Sequence, residues 1–253
     1  MKTADNNNTS EEVKKQINRR SFIAFGSFIA LNAVAYGSWK WLRTQPKIDG
    51  IERPLRKTLL TNERIFTKAI SKNHLAETFP KSQAVKNFRV NGRFGIKTAP
   101  ETNWALKVKL NDQETKSITL EELKKLPKTE IIFDFKCIEG WSQISHWGGV
   151  KFSDFVKHFD LSEQAAMNYV GLSTPDKKYY VGIDTVSAMH PQTLLCYEHN
   201  DMPLSNDHGY PLRLIIPVKY GVKNLKRIGN LYFSNTPPPD YWAEEGYDYF
   251  AGL

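Results

Sequence analysis

Two segments of this chain hold residues able to do chemistry. The first, Phe133-Asp-Phe-Lys-Cys-Ile-Glu-Gly-Trp-Ser142, delivers Cys137 where an alternating apolar run ends. A cysteine sulfur is a soft donor suited to thiophilic metals, and one protein sulfur suffices when a cofactor supplies the remaining sulfur ligands. The second runs from His208-Gly-Tyr-Pro-Leu-Arg213 through Lys219-Tyr-Gly221 to Asn224-Leu-Lys226. Its cations and turn glycines could hold an anionic cofactor, because Arg and Lys give charge-assisted hydrogen bonds. Taken alone, Cys137 reads first as a small buried hydrophobe, the usual fate of a free cysteine. It could also be a nucleophile with His146 or His158 as base, but that chemistry needs an orienting third group and an oxyanion hole, and the sequence shows neither.

These residues need elements to position them. Apolar residues Ile65, Phe66, Ala69, Ile70 and Leu75 recur near the helical period, predicting an amphipathic helix from Thr61 to about Phe79, stopped by Pro80. Before it, Gln45 to Leu55 reads as a linker rich in Pro, Gly and charge. Asn87 to Gly95 reads as a loop. Trp104–Leu110 and Ile131–Phe135 alternate with period two and are expected strands. Thr119, with Glu122 three positions on, predicts a capped short helix ended by Pro127. Phe152 to Phe159 has helical spacing that suits core packing. Tyr169–Leu172 and Tyr179–Ile183 are strand-like, Asp184 to Tyr197 reads as helical despite Pro191, and Leu212–Val218 and Leu225–Phe233 are the last expected strands. Cys196, inside Thr193-Leu-Leu-Cys-Tyr197, is expected in the core. Strands and helices interleave without a Gly-rich loop opening a helix after the first strand, which argues against a dinucleotide-binding unit and for a mixed α+β domain.

A chain of 253 residues with 40% hydrophobic content can bury one substantial core. Its formal net charge is +8; the first 35 residues hold five basic and three acidic side chains, so the remainder keeps 30 minus 24, or +6. The basic excess therefore belongs to the folded part and is compatible with a phosphate-bearing small molecule, an anionic substrate or an acidic partner protein, while the lack of a dense Lys/Arg tract interleaved with aromatics disfavours nucleic acid. At the front, Asn18-Arg19-Arg20-Ser21-Phe22-Ile23 opens an uncharged stretch from Ser21 to Trp39. It resembles a twin-arginine export signal for folded, cofactor-loaded cargo. At 19 residues it is also just long enough to remain as a membrane anchor, although Ala33-Val-Ala35 would suit cleavage.

Together, the Cys137 segment, Trp147-Gly-Gly-Val150 and the stretch from His208 to Lys226 resemble the sulfite-oxidase-type family of molybdopterin oxidoreductases. The resemblance covers roughly residues 85 to 250 and implies a mixed-sheet α+β fold. It also implies one pyranopterin molybdenum cofactor per chain, whose dithiolene gives two sulfurs while Cys137 gives a third. His208 and Arg213 match residues that hold the cofactor, and Asn224, Leu225 and Lys226 match the stretch that clasps its phosphate. More loosely, Asn87 and Arg89 match pterin contacts, and Thr174 a hydroxyl near the cofactor. A solvated basic face is the other reading of Lys219 and Lys226, and the preferred one for Lys223 and Arg227. Ala188-Met-His-Pro191 resembles a helix of the methionine-sulfoxide-reductase branch, with a surface or packed histidine as the plainer reading.

Sulfite-oxidising members follow their cysteine with small residues and paired arginines, whereas Ile138-Glu-Gly-Trp141 stands here. A carboxylate beside a dianion opposes its binding. The resemblance therefore leans toward the periplasmic protein-methionine-sulfoxide reductase branch and toward oxygen-atom transfer that reduces an S-oxide or N-oxide. Sulfite oxidation, a cysteine-nucleophile enzyme and a non-catalytic exported binding module remain as alternatives. With no Cys-x-x-Cys-His motif and no ferredoxin-like cysteine run, electrons must come from a partner, by family analogy a membrane b-type cytochrome. The expected organisation is a signal or anchor over 1–42, linker and amphipathic helix over 43–84, and the molybdopterin-binding domain over 85–253, on the extracytoplasmic side.

Overall fold

The computed structural model describes residues 5–48, 50–69, 74–96 and 102–253, and the chain divides into two compact units, 1–56 and 57–253. The first unit opens with α1 (Asp5–Arg43), in which Asn18–Arg43 is long and apolar enough to cross a membrane. Its Phe22, Phe25, Phe28 and Leu31 are exposed. A tight hairpin of β1 (Lys47–Ile48) and β2 (Ile51–Glu52) follows, and α2 (Arg53–Ala69) begins directly after it. The expected linker is thus structured, and the expected helix starts eight residues early. Pro54 falls in the first helical turn, where a missing N–H breaks no intrahelical bond. Residue 70 lies outside the described residues. Beyond it the chain from 74 to 80 is not helical, and Thr78 instead bridges to Phe133.

In the second unit, β3 (Ala105–Lys109) and β4 (Thr115–Thr119) form a hairpin. Thr119 then caps α3 (Leu120–Lys124) through the reciprocal bonds the Thr-x-x-Glu spacing predicts. β5 (Thr129–Lys136) and β6 (Ser142–Lys151) make a long antiparallel pair, and α4 (Phe152–His158) buries Phe152, Phe155 and Val156. β7 (Tyr169–Ser173) pairs with β8 (Tyr180–Asp184), and the Asp184 side chain caps the single turn of α5 (Thr185–Ala188). β9 (Leu194–His199), β10 (Met202–Pro203), β11 (Arg213–Ile215), β12 (Asn230–Ser234) and the short α6 (Tyr241–Glu244) complete the order.

The strands form two five-stranded sheets: β10-β9-β6-β5 with β11 also on β9, and β4-β3-β12-β7-β8. β12 runs parallel to β3 and antiparallel to β7, so the second sheet is mixed. The larger core gathers Leu106, Val108, Phe152, Phe155, Leu172, Leu195, Leu214 and Leu231. A smaller one lies on the other side of the first sheet, around Phe88, Phe133, Phe135, Trp147 and Cys196. The two cores follow from alternation: Leu195 points to one and Cys196 to the other.

The predicted helix over Asp184 to Tyr197 is corrected to one turn followed by β9. Leu194 to Tyr197 is buried throughout as an interior strand, and such a continuous apolar run is indistinguishable from a buried helix by periodicity. Cys196 is core, as expected, but on a strand. β6 went unpredicted because Gly148, Gly149 and its polar residues hide the strand pattern. A Cβ at Gly149 would sit 2.1 Å from the Leu195 carbonyl oxygen, so only glycine lets β6 approach β9 there, beside the register shift at Gly148/Gly149. The last two predicted strands shrink to β11 and β12.

Between those strands the structure overturns the solvated reading of the basic residues. Lys219 and Lys223 are 2% and 1% exposed. Lys219 pairs with Asp184 at 2.8 Å and donates to the Phe250 carbonyl, while Lys223 pairs with Asp240 and donates to the Gly182 carbonyl. Arg227 is buried too, its Nε donating to the Tyr210 carbonyl. These lysines pin the C-terminal segment to β8. Removing one partner strands a buried charge, so Lys223→Ala is expected to cost about 3–5 kcal/mol, read as a lowered urea midpoint. A loss below about 1 kcal/mol would show that Asp240 finds water instead.

Candidate active site

On β5, Ile131, Phe133 and Phe135 face the smaller core. Two residues on, the same alternation brings Cys137 to that face as the strand ends. The five-residue connection to β6 is closed by hydrogen bonds from Cys137 N to the Trp141 carbonyl (2.9 Å) and from Gly140 N to the Cys137 carbonyl (3.0 Å). Gly140 takes φ +87°, a left-handed conformation that favours glycine. Cys137, 8% exposed, lines a cavity of about 330 Å³. Sharing its wall are Arg89, Asn91, Glu139, Arg213, Asn224 and Lys226, together with an aromatic rim of Phe88, Phe94, Trp141, Tyr179, Trp242 and Tyr247.

Arg213 is the most telling group. It is 2% exposed, stacks 4.3 Å over the Trp147 ring, and donates to the His208 and Asn224 carbonyls at 3.1 and 3.3 Å. Its Nε has no hydrogen-bond partner, and no carboxylate pairs with it among the described residues. Burial pushes its guanidinium pKa down to about 10. A buried cation facing a cavity without an anion is costly, and an anionic ligand would relieve it.

Lys226 adds to this field. Its ammonium donates to the carbonyls of Asn91 (2.6 Å) and Gly92 (3.1 Å), and burial, with repulsion from Arg213, brings its pKa down to about 7. The folded value lies below the ordinary 10.5, so unfolding takes up a proton between them and stability from this group rises with pH from about 7 to about 10.5. Urea midpoints of cofactor-free protein should therefore climb more steeply over that window than those of Lys226→Met. Identical slopes would rule out the buried ammonium.

Around the thiol, Asn91 Nδ2 lies 3.7 Å from Cys137 Sγ, and Trp141 Nε1 donates to Glu139 at 3.1 Å. Hydrogen bonds from Asn91 and then Trp141 lower the Glu139 pKa, so this carboxylate is ionised at neutral pH. Arg89 stacks 5.1 Å from the centre of the Trp141 ring. The Tyr179 hydroxyl is committed to the Val222 carbonyl at 2.7 Å.

Of the residues singled out from sequence, Arg89, Cys137, Arg213, Asn224 and Lys226 line one cavity. The other four stand elsewhere. His208 lies behind Phe88, its Nε2 3.3 Å from the Phe88 carbonyl and its Nδ1 2.7 Å from the Ser205 hydroxyl. Leu225 is fully buried in the larger core. Thr174 is buried, donates to Asp176 at 2.7 Å, and packs so closely that a Cβ on Gly95 would meet it. Asn87 is exposed beside Phe88. Asn224 works through its side chain as well, whose oxygen accepts from Ile216 N at 2.7 Å and holds the loop in place. Asn91 and the aromatic rim escaped the sequence reading. Asn91 sits in the predicted two-glycine loop of residues 87–95, but Trp242 and Tyr247 reach the cavity only through the fold. His190 is a packed histidine that bonds the His74 carbonyl at 3.0 Å.

Among the described residues, no histidine lines the cavity to serve the thiol as a base. His146 pairs with Ile132 across β5–β6, five residues and about 16 Å of strand from Cys137, and its Nε2 meets Glu130 at 3.2 Å. His158 ends α4 against Phe159.

A mixed-sheet α+β fold brings Cys137, the buried Arg213 and the half-buried Lys226 around one cavity, an arrangement that could hold an anionic, metal-bearing cofactor. The chain belongs to the family described as oxidoreductase molybdopterin binding domain, whose model matches residues 93–242, and it is an enzyme of that oxidoreductase class. It is 34% identical over 183 residues to a putative protein-methionine-sulfoxide reductase subunit of Azospira oryzae, covering 71% of this chain and 69% of that one. To the protein-methionine-sulfoxide reductase catalytic subunit of Xanthomonas campestris pv. campestris it is 30% identical, over 62% of this chain and 54% of the relative. The chain thus spans little more than half the length of that reductase. Among solved structures, the sulfane dehydrogenase SoxCD of Paracoccus pantotrophus shares the fold, with TM-score 0.50 and 16% identity over 66% of this chain and 46% of that one.

Proposed function

We propose that this chain is an extracytoplasmic oxidoreductase that reduces an S-oxide, methionine sulfoxide first among them, or an N-oxide. One molybdenum cofactor would be bound by Cys137 and held by Arg89, Arg213, Asn224 and Lys226. The observation that carries the reading is the buried, unpaired Arg213 opening on the same cavity as the Cys137 sulfur. When bound, the cofactor supplies two-electron redox chemistry at an oxygen-accepting metal. The net reaction breaks the S–O bond, consumes two electrons and two protons, and releases the sulfide and water.

The residues of this chain do the rest. Cys137 offers its sulfur, and the Asn91 amide orients it. Arg213 and Lys226 bring positive charge to an anionic cofactor, while Asn224 fixes the loop that carries Lys226. His208, Leu225 and Thr174 act from behind the wall: the His208 carbonyl holds the guanidinium of Arg213, Leu225 seats its loop in the core, and Thr174 buttresses the loop at Gly95. The aromatic rim excludes water and suits an apolar thioether arm. Ionised Glu139 repels a dianion such as sulfite and tolerates a neutral sulfoxide, which is why S-oxide reduction leads over sulfite oxidation.

The relatives' names carry the same substrate class. A helix long and apolar enough to span a bilayer supports retention at a membrane, where a b-type cytochrome would supply the electrons. The deciding experiment purifies the full chain from a host that makes the cofactor, measures molybdenum per chain, and assays S-oxides, N-oxides and sulfite with artificial redox dyes. About one molybdenum with faster turnover of sulfoxides than of sulfite is expected. Metal-free protein, or a preference for sulfite, would overturn the reading.

A further inference from the structure

α2 carries two chemically opposed faces. At 3.6 residues per turn, Arg53, Lys57 and Arg64 fall within about 40° of one another. Leu55, Leu59 and Ile65 fall on the opposite half, with Leu60 the one leucine on the basic side. The three cations are exposed, and so are Leu55 at 42% and Ile65 at 58%. A helix with a basic face and uncovered leucine and isoleucine on the other is built for the boundary between water and an anionic lipid surface.

The location of its first turn points the same way. Ser21–Trp39 of α1 would span about 28 Å as a helix, close to the hydrocarbon thickness of a bilayer. After α1 the chain folds straight back through the β1–β2 hairpin. Arg53 N donates to the Pro46 carbonyl at 2.9 Å, three residues past the end of α1, and Glu52 lies 3.8 Å from Arg43. The start of α2 is therefore tied to the end of the candidate span and cannot stand far from the interface.

We infer that α2 is an interfacial helix that lies on the anionic lipid surface next to the membrane anchor, with Leu55, Leu59 and Ile65 in the acyl boundary and Arg53, Lys57 and Arg64 among the headgroups. The inference rests on α1 being a retained anchor. Its role is to hold the chain after α1 at the surface from which a membrane electron donor acts.

The test places nitroxide labels one at a time at Val34→Cys, Lys57→Cys and Ile65→Cys in the full chain, reconstituted in phosphatidylglycerol-containing nanodiscs. Accessibility to oxygen and to a nickel chelate is then compared, with the unsubstituted protein as the labelling blank. Val34 and Ile65 should favour oxygen severalfold over Lys57, and the preference at Ile65 should fall severalfold in purely zwitterionic discs or with Arg53→Glu and Arg64→Glu. Lipid exposure at Val34 with Ile65 and Lys57 equally open to the chelate would overturn the inference and leave the anchor standing. A water-exposed Val34 would sink the anchor and the inference together. Shielding of Ile65 from both probes in native membranes, but not in nanodiscs, would assign the apolar face to a protein partner and also reject it.

Discussion

Cys137→Ala is expected to abolish sulfoxide reduction while leaving the protein folded. The side chain lost is small, lies at the edge of the smaller core, and faces a cavity, so the change in buried area is minor and the thermal midpoint should move by only a few degrees. What disappears is the one protein sulfur on the cavity wall among the described residues. Changes to outer-shell partners of a metal typically cost 10–100-fold, so removal of a direct ligand should exceed about 100-fold in kcat/KM. Cys137→Ser separates position from softness, because its oxygen keeps the shape and lacks the soft donor. Both variants should fall together in activity. If Cys137→Ala keeps more than a tenth of the wild-type kcat/KM, the sulfur is not a ligand.

The second large effect has opposite signs in the two forms of the protein. Arg213 is a buried cation whose neighbours are two carbonyls and the faces of Trp147 and Phe135, with Nε unpartnered. Without an anion, the fold carries a desolvation cost that apolar replacement removes. Replacing buried charges by apolar side chains of similar volume is often neutral or stabilising by 1–4 kcal/mol. Arg213→Met should therefore raise the unfolding free energy of cofactor-free protein by about 1–2 kcal/mol, read as a higher denaturation midpoint. The same substitution should lower molybdenum content at least tenfold, since the charge that the cofactor would neutralise is gone. A variant that loses stability and still retains its metal would show that Arg213 is a structural residue completed by its two carbonyls.

How far the site could be read from residues alone depends on the kind of information each position carries. Cys137 was legible because alternation along β5 is local: once Ile131, Phe133 and Phe135 share a face, the next odd position shares it too. Thr119 and Glu122 were legible for the same reason, since a capping box is satisfied within four residues. β9 was not, because its apolar run is buried on both faces and has no period to reveal. Lys219 and Lys223 looked like solvated cations, and became buried struts only because Asp184 and Asp240 meet them from elsewhere in the chain.

Sequence by itself determined the donor set, one thiol and a run of cations in order along the chain, together with the apolar segment at the front and the strands whose alternation is strict. Only the tertiary structure decided which of those donors share a cavity, that Arg213 meets no carboxylate among the described residues, and that Trp242 and Tyr247 from the tail close the rim. The physical reason is range. Alternation and capping are set by neighbours in the chain, whereas burial of a charge and the lining of a cavity are set by long-range packing, which no single segment encodes.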